Sequence, residues 1–200
     1  MTATTEIEAV NIMRAAIGEA PINSLTGTVP VDVRLAQSTL NEVNKEVQSE
    51  GWSFNTEINV ELTRDGDDQV ALASNVLRVD PNVHDHADID AIQIGLKLYD
   101  RKNHRYTFTE DLKCTVVYFR TFEDIPEPAK RYINIKAART FVDRLVGDEG
   151  LRTFTQQDEV RARSILMETD LSNADHNLLR GDPALTDVFS TYSPSNVLIR

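Results

Sequence analysis

A single cysteine, Cys114, leaves no partner for an intramolecular disulfide in 200 residues and fits a reducing compartment. No apolar run approaches the roughly 20 residues that a membrane helix needs. The opening Met-Thr-Ala-Thr-Thr-Glu has neither a basic nor an apolar signal region, so no secretory signal is expected. Positive charge is also short. Lys and Arg number 21 against 32 Asp and Glu, a formal net charge of −11. That argues against a simple nucleic-acid binder, whose affinity comes from neutralising phosphates. It remains compatible with a wall that DNA slides past, because an acidic surface repels phosphates. There is no Gly-x-Ser-x-Gly elbow, no phosphate loop with Gly-Lys-Ser/Thr, no Gly-x-Gly-x-x-Gly after a strand, no internal repeat and no low-complexity segment.

What is present is an ordinary folded composition, 40% hydrophobic and 26% charged, enough for one domain or two small ones sharing a core. Its most informative stretch is Gln48-Ser49-Glu50-Gly51-Trp52-Ser53-Phe54-Asn55, which holds the only tryptophan. Glycine supplies the left-handed conformation that ends a helix, and Trp52 then anchors the exit to the core. The helix before it opens at Pro30, where a missing N–H costs nothing. Val33, Ala36, Leu40, Val43 and Val47 form its core stripe, opposite Arg34, Asn41 and Lys45. An earlier helix is predicted from Thr5 to Ile17. Thr5 and Glu8 have the form of a capping box, and Gly18 and Pro21 end the helix.

From Glu57 to Arg120 the period changes to two. Ile58, Val60 and Leu62 alternate with polar residues, as do Ile92, Ile94, Leu96 and Leu98. Val70 to Val79 reads as a strand or two, and Lys102-Asn103-His104 as a turn into Tyr106-Thr107-Phe108. Lys113 to Phe119, β-branched and aromatic, is the clearest strand. The expectation is a small antiparallel β domain or sandwich inserted between helices.

Helical spacing returns after Pro126. Ile135, Ala138, Phe141, Val142 and Leu145 cluster on one side, with Lys136, Arg139 and Arg144 on the other. A fourth helix is predicted from Thr155 to Leu178, with Val160, Met167, Leu171, Ala174 and Leu178 as its stripe. Ile165 and Leu166 lie off that stripe, which suggests two buried sides. Residues 181–200 lack periodicity yet end in Asn196-Val197-Leu198-Ile199-Arg200. Such an end either folds back on its own domain, docks on a partner as a strand or arm, or frays. The fold class expected is α+β. Residues 1–56 and 122–180 form an antiparallel helical bundle, 57–121 a β-rich insertion, and 181–200 an extended tail.

Few residues suggest chemistry. His84, Asp85, His86, Asp88 and Asp90 crowd one loop and could ligate a metal, but their spacing matches no metalloenzyme motif and a solvated loop explains them. Asp65-Gly66-Asp67-Asp68 lacks the ligand series and closing Glu of a calcium loop and reads as a turn. Cys114, inside a strand, reads as an inert core thiol. No metal or catalytic residue is assigned. The region from Pro126 to Val146 is the basic exception, with five cations against two carboxylates. Either they balance acidic neighbours, or they meet an acidic copy or another acidic partner, or they bind phosphate.

Several ordered matches resemble one family. They are Ala9-Val10-Asn11, Ile17-Gly18-Glu19 with Pro21 and Leu25, then Asn44, Gln48-Ser49, Gly51-Trp52 and Phe54-Asn55. Leu98-Tyr99-Asp100-Arg101, Phe122 to Glu127, Lys136-Ala137-Ala138-Arg139 with Phe141, Ala162-Arg163, Glu168 and Asn177 continue the series. Together they resemble tail tubular protein A, the head-to-tail adaptor of podovirus-type phages. Gly66 to Ser74 and His84 to Asp90 do not match the family pattern.

The resemblance implies a structural virion protein made in the host bacterial cytoplasm, with no active site and no cofactor. It implies a ring, a homododecamer, between the portal protein and the tail nozzle protein, through which DNA passes without specific binding and without membrane contact. The bundle and C-terminal tail would engage the portal, and the β-rich part the next tail protein. Lys136, Arg139 and Arg144 are the candidates for inter-subunit or portal contact, Val197, Leu198 and Ile199 for portal docking, and Trp52 for the fold anchor. The rival function is a hydrolase acting on polysaccharide through paired carboxylates, which a sequence cannot place at the required separation.

Overall fold

The computed structural model describes residues 4–82, 84–145 and 156–173. The fold is α+β, and the described residues form four α-helices and two small antiparallel sheets. Helix α1 (Glu6–Ala15) starts from the expected capping box: the Glu8 N–H donates to the Thr5 hydroxyl (3.3 Å) and the Thr5 N–H to the Glu8 carboxylate (2.9 Å). In α2 (Val31–Ser49) Pro30 precedes the first turn in an extended conformation instead of opening it, and the whole expected stripe is buried.

Helix α3 (Glu127–Leu145) is the central helix, and α4 (Gln156–Asn173) packs on it. Ion pairs and one hydrogen bond give the directions. Arg14 meets Asp32 while Gln37 meets Glu6, so α1 and α2 are antiparallel. Arg144 meets Glu42 while Lys136 meets Glu46, so α2 and α3 are antiparallel. The bundle core joins Val10, Met13, Leu40, Val47, Trp52, Tyr132, Ile133 and Phe141.

A second core, around Val70, Val79, Leu98, Phe108, Leu112 and Val116, fills the β unit. Strand β5 (Leu112–Tyr118) lies between β1 (Thr56–Leu62) and β2 (Val76–Pro81), antiparallel to both. Strands β3 (Ala91–Ile94) and β4 (Lys97–Asp100) form a hairpin.

Several sequence expectations change. The β1 alternation fails at Ile58, which is exposed, because the register shifts between Glu57 and Val60 and Asn59 takes a positive φ of 59°. A bulge of this kind turns an edge strand away from further pairing. The Ile92–Leu98 alternation is a hairpin that turns at Gly95 (φ 62°), leaving Ile94 and Leu96 exposed. Val70 and Thr107 belong to no strand: Gln69 pairs with Thr107, and Ala71 with Lys97, as isolated bridges. Leu145 is exposed at the end of α3.

The largest change concerns α4. Its buried residues are Ala162 and Leu166, whereas Val160, Met167 and Leu171 of the expected stripe face outward. Ala174, Leu178 and the segment 181–200 lie outside the described residues. Among the described residues no helix is long and apolar enough to cross a membrane.

Candidate interaction site

The end of α2 is a hydrogen-bonded joint between the two cores. Gly51 adopts φ 83° and turns the chain out of the helix. A Cβ there would stand 2.7 Å from the Arg78 guanidinium, so Gly51 also gives room to a β2 side chain. Trp52 is buried in the bundle core, its indole N–H donating to the Val47 carbonyl (2.8 Å). The Trp52 amide donates to the Asn55 side-chain oxygen, and the Asn55 amide group donates to the carbonyls of Gln48 and Tyr118, both at 2.9 Å.

Gln48 completes the joint. It is fully buried and bonds both backbone groups of Arg120: its carboxamide oxygen accepts the Arg120 N–H and its NH2 donates to the Arg120 carbonyl, each at 2.8 Å. The same NH2 donates to Asn44. An α2 side chain thus continues the hydrogen-bonding edge of the chain leaving β5. Sequence reasoning missed Gln48, although Asn44 and Gln48 lie one turn apart beside the apolar stripe, where a polar pair needs a partner. On the same end, the Ser53 amide and hydroxyl donate to Asp170 of α4 (2.8 and 2.6 Å).

The basic side of α3 is engaged within the subunit. Lys136 pairs with Glu46 (2.9 Å), Arg139 with Glu159 (2.7 Å), and Arg144 with Glu42 through two hydrogen bonds. Burial opposes the charge of Lys136, but the hydrogen bond to Glu46 and nearby acidic groups outweigh it and raise its pKa. The hydrogen bond from Arg144 lowers the pKa of Glu42. These contacts match the balancing of acidic neighbours and join α3 to α2 and α4. Val197, Leu198 and Ile199 lie outside the described residues.

The acidic loops are occupied by their own hydrogen bonds. Asp65 accepts the amides of Asp67 and Gln69, both at 2.9 Å, as a turn-forming Asp does. His86 is buried; its Nε2 accepts the Lys113 N–H (2.9 Å), which leaves the ring proton on Nδ1, 2.9 Å from Glu110. Asp88 pairs with Lys102 and Asp90 with Arg101. Cys114 is fully buried, and burial followed by the charge of Asp80 pushes its pKa up to about 12, so it is an unreactive thiol. Two surface grooves, of about 330 Å³ beside Gln156 and Val160 and about 460 Å³ beside Gln69 and Tyr106, are lined by no carboxylate among the described residues.

A family model described as tail tubular protein matches residues 7–176, which takes in both cores and the joint. Tail tubular protein A of Klebsiella phage KP34 is 28% identical over 172 residues, covering 84% of this chain and 88% of that protein.

Proposed function

The chain belongs to the tail tubular protein family, a structural component of the phage tail, and from that premise we propose that it is the head-to-tail adaptor. In this reading copies of the chain form a ring, of twelve subunits, between the portal protein and the tail nozzle protein, and DNA leaves the head through its lumen. The observation that carries the reading is the family match across both units of the subunit. The joint at Gln48, Gly51 and Asn55 supports it mechanically, because a part that transmits load between two partners needs its two units held at a fixed angle.

The charge supports the same reading. A subunit of −11 repeated around a ring makes an acidic collar, and any part of it that faces the lumen repels DNA. Contacts in such a ring are heterologous and close by rotation. Lys136, Arg139 and Arg144 would act there by fixing the bundle surface that a neighbour meets. Arg144, the most exposed of them, would exchange Glu42 for a neighbour's carboxylate.

In the same reading Val197, Leu198 and Ile199 dock on the portal. Deleting 194–200 is expected to leave the thermal unfolding curve unchanged and to abolish binding to portal-bearing particles. Undiminished binding would remove the tail from the account.

A further inference from the structure

Helix α4 presents two different faces. One is held inside the subunit: Ala162 and Leu166 are buried, and Glu159, Arg163 and Asp170 are tied to Arg139, Glu50 and Ser53. The other carries Val160, Met167 and Leu171, which are 59%, 47% and 60% exposed. At about 100° per residue these three fall within roughly 40° of one another. They lie about 140° from the buried pair, so they are not its rim.

Isolated exposed apolar residues need no explanation, but the spacing here does. Val160, Met167 and Leu171 are separated by seven and four residues. That is the repeat of a helix–helix seam, narrower than the stripe of a core helix. Ser164, on the same line, keeps its middle small.

We propose that this seam packs against a helix of a second copy of the chain, an inference that rests on the adaptor reading and names the surface by which its subunits meet. Charge argues for this occupant. Arg161 and Glu168 lie one heptad apart along the same edge of the seam, exposed and with no ion-pair partner among the described residues. Flanking charges of both signs set partner and orientation in paired helices. A copy of a chain with 32 acidic and 21 basic residues offers the carboxylate that Arg161 lacks.

The experiment uses the full chain in assembled particles, with a photoreactive benzoylphenylalanine replacing Met167. Irradiation is expected to give adducts between two copies of this chain, mapped by mass spectrometry to α4 on one side. Adducts only to a different particle protein, only to residues 174–200 of the same copy, or absent altogether would overturn the proposal. A second variant, Met167→Glu with Leu171→Glu, is expected to keep the wild-type melting temperature, because both side chains are exposed. It should enter particles at least tenfold less efficiently than wild type; undiminished copy number would also overturn the seam. Absence of the wild-type chain from the head–tail junction is a separate result, and it would refute the adaptor reading itself.

Discussion

The side chain of Gln48, on α2, hydrogen-bonds both the N–H and the carbonyl of Arg120 at the exit of β5, each at 2.8 Å. Seventy-two residues separate them, and the contact locks the bundle to the sheet. Gln48→Ala leaves two backbone groups and Asn44 without their partner. It is expected to cost on the order of 2–4 kcal/mol in urea unfolding. The unfolding transitions read by Trp52 fluorescence and far-UV circular dichroism, expected to coincide in wild type, should then separate. Unchanged stability would show that the joint is not held by this side chain.

Gly51 tests the same joint through the backbone. At φ 83° an alanine is strained, and its Cβ would press on Arg78. Gly51→Ala is expected to lose about 1–2 kcal/mol. The guanidinium is the far end of a flexible side chain, so adding Arg78→Ala should recover only part of the loss. Full recovery would mean that crowding, and not the left-handed turn, makes glycine necessary.

Trp52→Ala removes a buried indole and its hydrogen bond to the Val47 carbonyl. A loss of about 3–5 kcal/mol is expected, read as a lower denaturant midpoint. A variant with wild-type stability that fails only in assembly would make Trp52 a contact residue instead of a fold anchor.

Asp100 predicts acid sensitivity in the β unit. Burial raises its pKa, but hydrogen bonds from Asn103 and Lys102 and the charge of Arg105 bring it below the ordinary value. The unfolded chain then takes up this proton first as pH falls. The stabilisation is complete above about pH 4, the ordinary Asp value, and disappears as pH drops through the lower folded-state value. Asp100→Asn should be less stable at pH 7 and show a flatter loss below pH 4. Parallel pH profiles for the two proteins would contradict this assignment.

Much of this architecture was legible along the chain. Thr5 with Glu8, the Val33–Val47 stripe, Gly51 and the Lys113–Phe119 run each depend on near neighbours, and each formed as expected. The failures depended on distant ones. Ile58 and Leu96 keep a period of two in sequence, but a bulge and a tight hairpin break the period in space. On α4, α3 covers Ala162 and Leu166, a choice that helical spacing alone could not make between two apolar faces. The basic side chains of α3 were visible as a patch, while their partners on α2 and α4 required the fold.

The most direct test of the adaptor reading is electron microscopy of the full-length chain mixed with portal-bearing particles. A closed ring of this protein stacked on the portal, continuous with the DNA channel, is the predicted image. Portals that remain bare, together with a monomer that turns over polysaccharide, would contradict the account and return the chain to the hydrolase alternative.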